Sequence, residues 1–271
     1  MMNAKQLLKK VRSRLVYIKW KIQYYLSNSS KKIKTLKNKH SGERCFIIGN
    51  GPSLTPEDLN LIKDETTFAS HRIFNIFELT EWRPTYYIGQ DVTLLKEISQ
   101  HAKNVVADYK FLTIQVQDIY KSIFNDAIYF FLRSTNFYPN LPKFSTDASR
   151  QLYEGYSVTY GAIQLAVYMG FKEIYLLGVD FNYSLTVDHG GKITKTDGVK
   201  DYFSNDNNIG LNLPNLELSL LGFQAAEKFA KENGFSIKNA TRGGKLEVFK
   251  RVRLEDIVSN KDNCEKLAAV E

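Results

Sequence analysis

From Gly42 onward, short uncharged apolar runs alternate with stretches whose apolar residues recur every three or four positions. The runs Arg44 to Ile48, Thr66 to Ser70, Thr85 to Gly89, Asn104 to Ala107, Ala127 to Leu132, Glu173 to Gly178 and Ser236 to Asn239 predict strands. Helices are predicted around Leu94 to His101, Ser157 to Met169 and Leu218 to Asn233. The Cys-Phe-Ile-Ile core of the first run carries no charge, the signature of a strand covered on both faces. This alternation implies an α/β fold of Rossmann-like type, a mostly parallel sheet with helices on both faces. Residues 182 to 214 break the pattern: rich in Gly, Asp, Asn and Lys, they read as a lid or acceptor-binding loop.

Ahead of this body the pattern is different. Leu7, Val11, Leu15, Ile18, Ile22 and Leu26 fall on one side of a helix, with most of the lysines and arginines beside or opposite. Lys19 and Lys21 interrupt the stretch before it could span a bilayer. Such a helix suits an anionic membrane surface, with Tyr17, Trp20, Tyr24 and Tyr25 at headgroup level; packing on the body or on a second subunit is the alternative. The polar, lysine-rich segment Ser27 to Gly42 reads as a linker. The chain thus divides into a basic helix and linker (1–42), a body (43–257) and a tail (258–271).

Charge and composition refine this picture. The formal charge of +8 is concentrated at one end: the first forty residues hold twelve Lys/Arg and no acid, leaving 25 basic against 29 acidic residues beyond. A basic tail on a mildly acidic body argues for a surface anchor rather than nucleic-acid binding, and the scattered Tyr and Phe form no stacking platform. Two cysteines, Cys45 and Cys264, match no zinc or iron–sulfur spacing and suggest a reducing compartment, so no metal ligands are assigned. The expected location is the cytoplasm, peripheral on the inner face of the cytoplasmic membrane.

Two segments carry chemistry. Gly49-Asn50-Gly51-Pro52-Ser53-Leu54 follows the first strand and precedes a helix that Thr55 would cap and Pro56 would open. Glycines there let backbone amides approach a phosphate, although the turn can equally be a tight connection capped by Asn50 and Ser53. Leu54 stands where a dinucleotide fingerprint needs glycine, and no Gly-Lys-Ser/Thr phosphate loop exists. The second segment runs from Ser157-Val-Thr159 through a helix to the strand ending Gly178-Val-Asp180. It gathers hydroxyls and a carboxylate at the carboxyl edge of the sheet, where α/β folds bind ligands. Asp180 could grip a ribose hydroxyl, orient a catalytic group, or cap the following turn.

These segments, Gly49 to Leu54 and Gly170 to Phe181, resemble the bacterial sialyltransferases of glycosyltransferase family 42. The closing Asn239-Ala-Thr241-Arg-Gly243-Gly244 is similar to a broader group that includes motility-accessory glycosyltransferases and a pterin pyrophosphokinase branch. The resemblance implies a Rossmann-like variant of the GT-A type and direct inverting displacement from a CMP-activated sugar acid. It further implies a glycan or lipid-linked acceptor, no cofactor or required metal, and a homo-oligomer. Asn50, Gly51 and Ser53 would meet the donor's phosphate and nucleotide, and Ser157 and Thr159 match the donor-contacting region. His71 and Asp91 stand near family asparagines, and Tyr183 and Tyr202 echo a tyrosine pair on the leaving phosphate. The family's loop base has no aligned match. His189, the single histidine of the 182–214 loop, is the first candidate base, with Asp201 and Asp180 next and a solvated turn residue as its plain alternative. Two rivals remain: a magnesium-dependent pyrophosphokinase using Asp91 and Asp180, and a non-catalytic membrane-docked adaptor.

Overall fold

The computed structural model describes residues 4–120, 122–206 and 210–259. Eight parallel strands form the central sheet: β1 (Arg44–Ile48), β2 (Thr67–Ser70), β3 (Tyr86–Gly89), β4 (Tyr109–Thr113), β5 (Ile128–Phe130), β8 (Glu173–Leu177), β11 (Ser236–Asn239) and β12 (Lys250–Arg251), in the order β12-β11-β8-β1-β2-β3-β4-β5. Two small pairs stand apart: β6 (Leu132–Arg133) with β7 (Leu152–Tyr153), and the hairpin β9 (Leu185–Val187) with β10 (Ile193–Lys195). The chain builds outward from β1 to β5 and then returns to the other side of β1 for β8. Its direction therefore reverses between β1 and β8, the position where parallel sheets open a ligand crevice.

Helices pack around the sheet: α1 (Ala4–Leu26), α2 (Asn28–Thr35), α3 (Pro56–Leu61), α4 (Val92–Glu97), α5 (Ser99–Ala102), α6 (Ile114–Tyr120), α7 (Val158–Tyr168) and α8 (Leu216–Asn233). The start of α3 follows from local chemistry. Thr55 Oγ1 accepts from the Asp58 amide and Asp58 Oδ2 accepts from the Thr55 amide, a reciprocal cap, with Pro56 in the first turn. α7 is buried on nearly every side and packs on β1, β3 and α8. Within it, Gln164 is fully buried and fully satisfied: its Oε1 accepts from the Ser145 and Tyr153 amides while its Nε2 donates to the Tyr153 and Tyr160 carbonyls. One side chain thereby holds the 145–153 segment to the helix that leads into β8.

Three expectations need correction. The segment read as a linker contains α2, whose Ser29, Ser30 and Ile33 are buried, with Leu36 buried just after it. Ser29 Oγ accepts from the Tyr129 amide at the edge strand β5, and Ser30 Oγ donates to the Ser149 carbonyl. The strand placed at Asn104 to Ala107 is a turn and loop; the fourth strand is Tyr109–Thr113, because the polar Lys110 that masks it is buried, reaching the Lys103 carbonyl and Asp126. The aromatic residues of α1 do not lie outward. Tyr24 is fully buried, its hydroxyl donates to the Ser149 carbonyl at 2.8 Å, and Tyr17 meets Phe131 edge-on at 5.1 Å. Of the tail read from 258 onward, residues 260–271, with Cys264, lie outside the described residues.

Tyr24 is accordingly a fold residue. Tyr24→Ala should cost about 3–5 kcal/mol in urea unfolding, the range for deleting a buried aromatic side chain. Tyr24→Phe should cost about 1 kcal/mol, through loss of one hydrogen bond. Equal, negligible effects of both would mean that α1 does not hold to the body.

Candidate functional site at the sheet switch point

A cleft of about 620 Å³ opens where the loops after β1, β2, β3 and β8 converge, closed on one side by the start of α7 and on another by residues 211–216. The glycines of the first loop have a steric explanation. A Cβ on Gly49 would sit 2.2 Å from the Gly178 carbonyl oxygen, and one on Gly51 would sit 1.9 Å from Asp180 Oδ2. The two loops touch through backbone: the Gly49 amide donates to the Leu177 carbonyl and the Gly51 amide to the Gly178 carbonyl, each at 2.8 Å. The Gly51 amide, expected to face a phosphate, is therefore used inside the protein. The Ser53 hydroxyl is also taken, donating to Asp180 Oδ2 at 2.7 Å.

The closing motif braces the same point from behind. Thr241 Oγ1 accepts from the Val179 amide, and the Lys245 amide donates to the Asp180 carbonyl. Gly244, at a left-handed φ of +71°, leaves no room for a Cβ against the Asp180 backbone. Burial raises the Asp180 carboxyl above the usual range, partly offset by its bonds from Ser53.

Four polar atoms of this cleft are buried without a protein hydrogen-bond partner: Asn50 Oδ1, His71 Nε2, Gln90 Oε1 and Asp201 Oδ2. Asn50 is aimed by its own amide, which donates to the Ser70 carbonyl, and Asp201 by the Ser184 amide, which its other oxygen accepts. His71, Tyr156 and Phe181 all have left-handed backbone without being glycine (φ +52°, +55° and +54°), and all three line the cleft. Such strain is concentrated where tertiary structure over-determines a loop, a frequent property of ligand sites. Burial drives the His71 imidazole down to about 4, against the opposing pull of Asp91, so the ring is neutral at pH 7.

Of the sequence-predicted residues, the cleft gathers Gly49, Asn50, Gly51, His71, Asp91, Ser157, Thr159, Gly178, Asp180, Tyr183, Asp201 and Tyr202. Ser157 caps α7, accepting from the Thr159 amide, and so the amino end of an eleven-residue helix faces the cavity. Tyr183 and Tyr202 pack edge-on at 6.3 Å, and burial raises the Tyr183 phenol well above 10, which keeps it a donor. Asp91 caps α4, accepting from the Thr93 and Leu94 amides, and also accepts from Asn212. Pro52 and Ser53 lie behind the wall. His189 is also outside it, at the turn of the β9–β10 hairpin, with Nδ1 2.7 Å from Glu217 and its ring stacked on Tyr138 at 3.9 Å. The 182–214 stretch contains that hairpin, and its residues 207–209 lie outside the described residues.

Gln90 was not foreseen. A polar residue directly after a predicted strand, next to Asp91, was the available signal, and Gly161 of α7 leaves room for it, since a Cβ there would lie 3.1 Å from Gln90 Oε1. A second hollow, about 860 Å³, borders β11 and β12, but its basic side chains are already paired: Arg44 with Glu65, Lys238 with Glu173, Arg242 with Asp58 and Arg251 with Glu247. It offers no comparable set of unsatisfied groups.

Sheet order, cleft position and loop construction define a Rossmann-like α/β protein with a binding crevice at the switch point. The chain belongs to the MptE-like family: the family model described as 6-hydroxymethylpterin diphosphokinase MptE-like matches residues 21–186, from within α1 to β9. Among solved structures it is similar to the MAf glycosyltransferase from Magnetospirillum magneticum AMB-1, with a TM-score of 0.50 and 16% identity over 86% of this chain and 38% of that one. This likeness is one of fold, and the chain spans well under half of that protein. No curated protein matches.

The depressed His71 has a thermodynamic consequence. As pH falls below the ordinary imidazole value of 6.5, the unfolded chain takes up a proton that the folded chain refuses until about 4, so stability is lost across that window. At one pKa unit per 1.36 kcal/mol, the loss reaches about 3 kcal/mol by pH 4. His71→Asn, which tolerates the left-handed backbone, should flatten this part of the Tm–pH curve relative to wild type; parallel curves would refute the assignment. Gly51→Ala should lower stability by about 1–3 kcal/mol through overpacking against Asp180, readable as a fall in Tm.

Proposed function

We propose that this protein is a glycosyltransferase that moves a sugar acid from a CMP-activated donor to a hydroxyl of a glycan or lipid-linked acceptor. The observation that carries the reading is the set of four unpartnered buried polar atoms at the switch point, on Asn50, His71, Gln90 and Asp201. An unsatisfied buried polar group costs on the order of 1–3 kcal/mol, so a polar ligand that pairs with several of them is favoured. Three are acceptors or amide groups suited to the donors of a pyrimidine base and ribose. The amino end of α7, with its positive dipole, suits the donor phosphate, and Tyr183 as a protonated phenol can donate to the leaving CMP.

In this reading the acceptor oxygen attacks the anomeric carbon as the bond from that carbon to the phosphate oxygen breaks. CMP leaves with the electron pair, and the acceptor's proton passes to a base. Asp201 is the favoured base: it is buried on the cleft wall, one oxygen is fixed by Ser184 and the other is free to accept. His189, the first candidate from sequence, is turned to Glu217 and Tyr138 beyond the wall.

The family model's description supports a second reading, magnesium-dependent diphosphoryl transfer. The residues fit that metal poorly. Asp91 is committed to the α4 cap and Asp180 to Ser53, and among the described residues no three His, Cys, Asp or Glu side chains gather as a metal site.

A thermal-shift comparison separates the two. CMP at a hundred times its dissociation constant, without metal, should stabilise by about 2.7 kcal/mol, a rise of about 5–10 °C for a chain of this size. Asn50→Ala and Gln90→Ala should reduce that shift. A response to ATP with magnesium and none to CMP would overturn the glycosyl-transfer reading in favour of the kinase one. With donor and acceptor in hand, Asp201→Asn should lower turnover about 10²- to 10⁴-fold at unchanged CMP affinity, while His189→Ala stays within about threefold. The reverse pattern would return the base to His189.

A further inference from the structure

α1 presents two different faces, and only one is used by the protein. Tyr17, Trp20 and Tyr24 turn inward against the body, and Gln23 Nε2 donates to Gln117 Oε1 of α6 at 3.1 Å. The opposite face, Leu7, Val11, Leu15, Ile18, Ile22 and Leu26, stands 46% to 82% exposed, with Leu8 beside it. At 3.6 residues per turn, Arg12 and Lys19 flank this stripe on one side and Arg14 and Lys21 on the other, all four exposed. The helix carries no acidic residue, and no described helix is long and apolar enough to cross a membrane.

We infer that the outer face of α1 docks the protein on an anionic lipid surface, the aliphatic stripe entering the headgroup boundary and the two basic rows meeting the phosphates. Charge complementarity selects this occupant. A second copy of the chain would bring a like-charged pair of basic rows against the same rows, without any acid on the helix to offset them, whereas an anionic leaflet neutralises both at once. The body also fixes how the surface lies relative to the site. Tyr17 packs against Phe131 and lies within electrostatic reach of Arg133, the two neighbours of Leu132, which lines the cleft. The docked face is therefore anchored at the rim of the switch-point cleft, and an acceptor hydroxyl carried on a lipid would be presented beside it.

The test uses the full chain, because Tyr24, Ile33 and Leu36 are core residues and removing the first forty would open the body. Flotation with vesicles of phosphatidylcholine containing a quarter phosphatidylglycerol should show binding that weakens with salt and is much weaker on pure phosphatidylcholine. Ile18→Glu with Ile22→Glu, both at exposed positions, should cut binding at least tenfold, with circular dichroism unchanged. Replacing Arg12, Arg14 and Lys21 by Gln should cut it by about fivefold per residue at low salt. Undiminished binding by the glutamate variant, or no preference for anionic vesicles in the wild type, would overturn the proposal. So would light scattering that shows a stable dimer turned to monomer by the same pair of substitutions, which would make the stripe a subunit interface. The CMP-induced thermal shift, measured on the same samples, is a separate readout: its absence beside intact vesicle binding would count against the proposed reaction and leave the docking surface standing.

Discussion

The backbone of the loop after β1 lies directly on the backbone of the loop after β8, with no side chain between them, and the rest of the site depends on that contact. Gly49 and Gly51 permit it, and the hydrogen bonds from their amides to Leu177 and Gly178 hold it. Every other feature is arranged around this seam. Ser53 and Asp180 are locked together across it, Thr241 and Gly244 support it from behind, and Asn50 is left as the residue whose side chain turns toward the crevice. Glycine-rich turns after a first strand are usually explained by the approach of a phosphate. Here the approach is that of a second strand's loop, and the anion-binding role passes to the amino end of α7.

α1 illustrates how one helix can serve two solvents. Its aromatic residues fill the gap beside Phe131 because they combine large apolar area with hydroxyls that reach carbonyls, as Tyr24 does at Ser149. Its aliphatic residues have no such partners and remain outside. Basic rows on either flank keep that apolar strip from being an isolated patch on the surface. The helix is thus built into the body rather than tethered to it, and α2, with its buried serines, is the joint.

The family name and the structural neighbour point to different reactions, and the fold accommodates both. A switch-point crevice in a parallel sheet binds nucleotides of many kinds, so architecture alone does not choose between glycosyl and diphosphoryl transfer. The choice rests on the side chains. Neutral His71, amide-bearing Asn50 and Gln90, and carboxylates already engaged in caps and bridges favour hydrogen-bond recognition of a nucleotide over capture of a metal–triphosphate.

The sequence by itself determined the elements whose patterning is local. β1 and β11 match their predicted limits, the α3 cap is encoded in Thr55 to Asp58, and the alternation of strands and helices sufficed for a parallel α/β fold. Elements whose apolar face is short or polar escaped. α2 presents a lysine-rich surface and buries serines whose hydroxyls are satisfied only by β5 and the 149 loop, and β4 carries a buried lysine. Most of the site's residues were legible because they sit directly after strands, where the carboxyl edge must place them. Their roles were not. Whether Gly51 faces a phosphate or a neighbouring loop, whether Ser53 is free or bonded, whether His189 or Asp201 reaches the cleft, and which face of α1 is covered are questions about distance between segments far apart in the chain. Periodicity and spacing report on one segment at a time, so only the packed structure, where those segments compete for the same space and the same hydrogen bonds, decided them.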